Sequence, residues 1–126
     1  MQVQYFMTPD PKVVSPDETV DAAWDRMASI QAHHLPVVED GVLIGIISDR
    51  DLRDDLDGLV RDVMTREPIT VRPEDGLIEA GKVLLSNQIN AVPVVDGNGI
   101  LVGVLTTTNC LIAMIQLNHE LELARS

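Results

Sequence analysis

Apolar positions follow two rhythms along this chain, and the same order of rhythms occurs twice. Val20, Ala23, Trp24, Met27, Ala28 and Gln31 keep the spacing of one helix face. Ahead of them, Ser15-Pro16-Asp17-Glu18-Thr19 supplies a polar cap, an early proline and first-turn acids, the chemistry of a helix start. Leu35–Val38 and Val42–Ile47 are apolar runs on either side of Glu39-Asp40-Gly41, which predicts a hairpin. The second pass has a start at Arg72-Pro73-Glu74-Asp75, a helix from about Gly76 to Gln88, a strand Val92–Val95, a turn Asp96-Gly97-Asn98-Gly99 and a strand Ile100–Leu105. With Lys12–Val14 as a short strand candidate, each copy reads strand, helix, strand, turn, strand, helix. Uninterrupted apolar strands predict burial on both faces, with helices packed over the sheet.

The repetition extends to residue identity. From Met7 to Val38, a shift of 57 residues finds 11 identities in 32 positions, including Met7-Thr8 on Met64-Thr65 and Pro36-Val37-Val38 on Pro93-Val94-Val95. Chance would give roughly two. One residue is added in the second turn, after which a shift of 58 superposes Gly45–Asp51 on Gly103–Asn109. Two related sites are therefore expected. The copies divide as residues 1–58 and 59–126, and the joint Asp54–Met64 is too short for a flexible linker. Each copy alone would bury only a thin core, so the halves are expected to fold against each other. A last helix, about Thr107–Leu123, outruns its counterpart. Its Leu111, Met114, Ile115, Asn118 and Leu121 share one face, which fits either an internal core or a subunit interface.

Composition narrows the function classes. The net charge is −11, and nine Lys and Arg cannot neutralise a phosphate backbone against 20 acids. Three aromatic residues offer no stacking platform for single strands. Nucleic acid is not an expected partner. Cys110 is alone, which excludes an internal disulfide and a cysteine-based zinc site and suits a reducing cytoplasm. No apolar run approaches ~20 residues, so no membrane span is expected.

The candidate chemistry lies where each third strand ends. A glycine, two apolar residues and a hydroxyl, Ser48 or Thr106, are followed three positions on by Asp51 or Asn109. The hydroxyl sits beside exposed backbone N–H groups at the positive end of a helix dipole, which favours an anion. The acid or amide in the first turn is placed to accept hydrogen bonds from sugar hydroxyls, the division of labour seen in dinucleotide folds. A capping hydroxyl with a favourable first-turn acid is the structural alternative for one such occurrence. Two at matched places favour a ligand.

These residues resemble the paired CBS domains, named after cystathionine β-synthase and also called a Bateman module. The resemblance rests on Met-Thr-x-x-Pro (Met7–Pro11, Met64–Pro68), Leu/Val-Pro-Val-Val (Leu35–Val38, Val92–Val95) and Gly-x-x-Ser/Thr-x-x-Asp/Asn, in family order twice over nearly the whole chain. Stand-alone pairs of this kind are similar to the acetoin-utilisation regulatory proteins of bacteria. The resemblance implies an α+β fold of two tandem repeats, β-α-β-β-α each, related by a pseudo-twofold. It implies an adenosyl nucleotide (AMP, ADP or ATP, with or without magnesium) in the cleft between copies. Carried over by residue, Ser48 and Thr106 would face phosphate and Asp51 and Asn109 ribose. His33-His34 and Asn90-Ala91 would reach the ligand, and strand one, around Val13 and Thr70, would lie against the base. The resemblance also implies a homodimer and a regulatory role exerted on a partner protein that the sequence does not name.

The two sites are not expected to be equal. Asn109, a neutral amide, is a weaker acceptor than a carboxylate, and Arg50 and the histidines have Thr108, Asn90 and Ala91 as counterparts. Phosphate should favour the first site. The histidines also read as plain polar residues closing a turn, and as neighbours they do not converge on one metal. The acidic run Asp49, Asp51, Asp54, Asp55 and Asp57 lacks calcium-loop spacing and reads as a solvated helix face that opposes a naked triphosphate. Trp24 and Cys110 read as core. No nucleophile with a neighbouring base is legible, so an enzyme is not expected. The expectation is a nucleotide sensor; the alternative is a structural homodimer with degenerate sites.

Overall fold

The computed structural model describes residues 1–53 and 57–125, so Asp54 and Asp55 of the acidic run lie outside the described residues. A 3-10 turn, Val3–Tyr5, leads to β1 (Thr8–Pro9), α1 (Val20–Ile30), β2 (His34–Glu39), β3 (Val42–Ser48) and α2 (Asp49–Leu52). Then follow α3 (Val60–Val63), β4 (Thr65–Arg66), α4 (Leu77–Ser86), β5 (Ala91–Val95), β6 (Leu101–Thr106) and α5 (Thr107–Arg125). The fold is mixed α and β, as the resemblance implied, and its strands form two three-stranded antiparallel sheets.

The chain forms two compact units. One contains Lys12–Ile69 and Asn98–Leu101. Its α1 begins where the Thr19 hydroxyl accepts the Ala22 N–H at 3.1 Å and stops at Gln31, whose φ of 55° leaves the helical region. Val20, Ala23 and Met27 face the sheet β2-β3-β4 and close a core with Val14, Leu35, Val37, Ile47, Leu52 and Val60. The joint between the copies holds α3, an element the hydrophobic pattern had not predicted. Its Val60 is fully buried, which anchors the joint.

The other unit contains Met1–Pro11, Thr70–Gly97 and the chain from Val102 onward. Its sheet runs β1-β6-β5 under α4 and α5, and its core joins Val3, Val71, Leu77, Ala80, Leu84, Val92, Val94, Leu105 and Ala113. The Met-Thr pair that opens the first copy therefore completes the sheet of the second: Thr8 lies opposite Val104 and Pro9 opposite Gly103. In the same way Thr65 and Arg66, which open the second copy, pair with Ile46 and Gly45 of the first.

That crossing explains two glycines. A methyl group at Gly103 would lie 2.7 Å from Met7 Sδ and 2.9 Å from the Thr8 carbonyl oxygen, and one at Gly45 would lie 2.8 Å from Met64 Sδ and 2.9 Å from the Thr65 carbonyl oxygen. Only a residue without Cβ lets the Met-Thr segment approach. The duplication also survives in backbone angles, since Asp10 and Glu67 have φ of 49° and 52°, and Gly41 and Gly99 have 82° and 79°.

Four expectations change. Lys12–Val14 forms no ladder; Val14 alone makes a parallel bridge to Val37. Burial on both faces holds for much of β2 and β5, but β3 and β6 alternate between buried and half-buried positions, the period-2 pattern of a strand with one face better covered than the other. Trp24 is not core: it is 38% exposed, and Ala23 takes the inward position beside it. On α5 only Ala113 is buried, so the stripe of Leu111, Met114, Ile115 and Leu121 faces outward and is no internal core.

Candidate ligand site

Each β-to-α junction is held by a reciprocal pair of hydrogen bonds. In the first copy the Asp51 N–H donates to Ser48 Oγ at 3.2 Å and the Ser48 N–H donates to Asp51 Oδ2 at 2.9 Å. In the second the Asn109 N–H donates to Thr106 Oγ1 at 3.1 Å and the Thr106 N–H donates to Asn109 Oδ1 at 2.9 Å. Both are capping boxes, so the structural reading of this motif is realised twice. Capping uses one acceptor position of the hydroxyl and one oxygen of the acid or amide. The hydroxyl proton and the far atom of Asp51 or Asn109 remain for other partners.

The residues ahead of β2 and β5 meet the same junctions. The Asp49 N–H donates to the His33 carbonyl oxygen at 2.9 Å, and the Thr107 N–H donates to the Asn90 carbonyl oxygen at 3.0 Å. His33 and Asn90 are thus tied to the start of α2 and α5. The His33 ring also lies 3.1 Å from Asp49 Oδ2, and this hydrogen bond holds the Asp49 carboxyl below its usual range. His34 stands opposite Ser48 in the β2–β3 ladder. His33, His34 and Arg50 are all exposed, and Ser48 and Asp51 are partly buried.

Strand one contributes through its backbone. Val14 and Val71 bond to the Pro36 and Pro93 carbonyls, which sets Val13 and Thr70 at the edge of their sheets. Val13 differs from Thr70 in one respect that the sequence did not reveal: its carbonyl accepts Arg26 Nη1 at 2.8 Å. Arg26 also makes a two-pronged pair with Glu18, at 2.6 and 2.8 Å, and the Ser15 N–H donates to the same carboxylate. The guanidinium holds the Glu18 carboxyl below its ordinary value of 4.5.

Thr8 is a second contact that sequence reasoning missed. Asn109 Nδ2 lies 3.4 Å from Thr8 Oγ1, an approach that spans 101 positions of chain. The repeated Met-Thr-x-x-Pro motif was the available signal, but nothing in it tells which copy the threonine serves. Among the described residues no group of three or more His, Cys, Asp or Glu side chains is arranged to hold a metal ion, and no helix is long and apolar enough to cross a membrane.

The CBS-domain family model matches residues 3–58 and again 60–116, nearly the whole chain. The chain belongs to the CBS-domain family. Among its relatives is the chloroplastic CBS domain-containing protein CBSX2 of Arabidopsis thaliana, 30% identical over 93% of this chain and 65% of that one. The crystal structure of CBSX2 in complex with AMP superposes with a TM-score of 0.86 at 33% identity, covering 93% of this chain and 98% of that chain. A Vibrio cholerae protein designated AcuB, for acetoin utilization, follows at 27% identity and a TM-score of 0.85, covering 97% and 96%. The cytosolic domain of the Mg2+ channel MgtE in complex with ATP matches at 29% identity and a TM-score of 0.77, covering 85% of this chain and 46% of that one. This CBS chain spans less than two thirds of full-length CBSX2, and 22% of an inosine-5'-monophosphate dehydrogenase from Korarchaeum cryptofilum that it also matches.

Proposed function

We propose that this CBS pair is a regulatory sensor that binds an adenosyl nucleotide of the AMP, ADP or ATP type and acts on a partner protein. The observation that carries the reading is the doubled junction, with Ser48 and Asp51 in one copy and Thr106 and Asn109 in the other held by matching hydrogen bonds. Relatives crystallised with AMP and with ATP support the ligand class. Ser48 and Thr106 face phosphate. Asp51 and Asn109 face ribose, Val13 and Thr70 flank the base, and His33, His34, Arg50 and Asn90 complete the rims. Asp49 and Asp51 disfavour a naked triphosphate, so ATP binds with magnesium. The repeats divide as residues 1–58 and 59–126.

The protein works in the cytoplasm, without catalysis of its own, as a homodimer. Support for the dimer comes from α4 and α5, where Ile78, Leu85, Leu111, Met114 and Ile115 are exposed, Leu85 by 79%. Ile78, Leu85 and Met114 line an apolar groove of about 400 Å³. Such a face is costly to leave in water, and a second copy carries the same face. Binding transmits a signal only if the nucleotide prefers one of two states of the protein.

Calorimetric titration with AMP, ADP, ATP with and without magnesium, and S-adenosylmethionine tests the reading, alongside Asp51→Ala and Asn109→Ala. Binding that Asp51→Ala abolishes or weakens supports it. Absence of heat with every nucleotide, while sedimentation still gives a dimer, would leave the structural homodimer as the better account.

A further inference from the structure

The two junctions differ in hydrogen-bond polarity at one atom. The Thr106 N–H donates to Asn109 Oδ1 at 2.9 Å, and a backbone N–H can face only the oxygen end of an amide, so the orientation of the Asn109 side chain is fixed. Nδ2 is therefore the atom beyond the cap, and it points toward Thr8 Oγ1 at 3.4 Å. Thr8 is held there by the pairing of β1 with β6, Thr8 opposite Val104. In the first copy the capping oxygen is Asp51 Oδ2, and the atom beyond it is the second carboxylate oxygen. The matching position is thus an anionic acceptor in one copy and a neutral donor in the other.

We propose that Asn109 is a specificity-determining residue: it makes the second copy's site indifferent to a ribose cis-diol, whereas Asp51 makes the first copy's site require one. This rests on the nucleotide reading above. Two O–H groups of a diol can both donate to a carboxylate, and each such bond is charge-assisted. Asn109 Nδ2 has two hydrogens, one turned toward Thr8, so a single hydroxyl can accept the other and its neighbour gains nothing there. The second site therefore takes deoxyribose and ribose nucleotides alike.

The test is calorimetry of the full chain with AMP, 2'-deoxyAMP and 3'-deoxyAMP. Asn109→Ala isolates the first site, where loss of either hydroxyl should weaken binding by about ten-fold or more. Asp51→Ala isolates the second, where the three ligands should agree within about three-fold. Adding Asn109→Asp to Asp51→Ala should restore discrimination of about ten-fold, since the cap survives and the donor becomes an acceptor. Equal discrimination at both sites, or none gained with Asn109→Asp, would overturn the inference while leaving the nucleotide reading intact. If Asp51→Ala binds none of the three, the Asn109→Asp double variant decides alone: a discriminating site supports the inference, and a silent one overturns it. Failure of wild type to bind AMP would instead overturn the nucleotide reading, and this inference with it.

Discussion

Replacing Gly103 by alanine tests the way each Met-Thr segment crosses the end of a strand. The added methyl would lie 2.7 Å from Met7 Sδ and 2.9 Å from the Thr8 carbonyl oxygen, short of a 3.4 Å contact by about 0.7 and 0.5 Å. The thioether can swing aside. The carbonyl cannot, because it belongs to β1, whose two residues pair with β6 opposite Gly103 and Val104. Either β1 shifts or the overlap is absorbed as strain, and overpacking of this kind costs about 1–3 kcal/mol. For a chain of this length that corresponds to a fall in Tm of about 4–12 °C. Gly45→Ala should cost the same, since Met64 Sδ and the Thr65 carbonyl stand at 2.8 and 2.9 Å. Gly81→Ala should do the opposite, because nothing lies within 4 Å of its methyl and alanine gains about 0.5–1 kcal/mol over glycine inside a helix. Urea unfolding with an unchanged m-value, supported by calorimetry, measures all three. Met7→Ala added to Gly103→Ala should not restore stability, since it relieves only the sulfur contact. A Gly103→Ala protein within about 0.5 kcal/mol of wild type would refute the reasoning, as would full rescue by Met7→Ala.

Three further outcomes follow from the packing and charges. Glu18 has its pKa lowered below 4.5 by Arg26, so its contribution is present above that value and lost as pH falls through the lowered one; Glu18→Gln should be less stable than wild type at pH 7, with the gap narrowing as pH falls below 4.5 in urea titrations, and a pH-independent gap would contradict this. Leu84, 2% exposed on α4, should cost about 2–5 kcal/mol as alanine, whereas Leu85→Ala, 79% exposed, should change monomer stability by less than about 1 kcal/mol; similar losses would mean the facing of α4 is wrong. Burial pushes the Cys110 thiol up, so iodoacetamide at pH 8 should alkylate it several-fold more slowly in the folded protein than in urea, and equal rates would show the thiol to be open to solvent.

Much of this architecture was legible in the residue order because its signals are local. Helix spacing from Val20 and from Leu77, the apolar runs about Asp40-Gly41 and Gly97–Gly99, and the doubled motifs located α1, α4, both hairpins and the family. The same motifs pointed to the Ser48–Asp51 and Thr106–Asn109 junctions, because a capping box needs only residues three apart. Trp24 was misjudged because helical spacing gives the width of a buried face but not its exact edge, and Ala23 proved to be the inward residue.

What the sequence alone determined, then, is whatever depends on neighbours within a few residues: element types, turns, caps, and the presence of two copies. Only the tertiary structure decided which partner each Met-Thr segment would take. Met7-Thr8 packs on Gly103 and Met64-Thr65 on Gly45, each exchanged relative to the order of the repeats. Two such strands of two residues carry no periodicity, and their choice follows from chain connectivity and the glycine that admits them. The donor that Asn109 presents beside Thr8 has the same origin. An amide's orientation is set by the groups around it, and one of them lies 101 residues away.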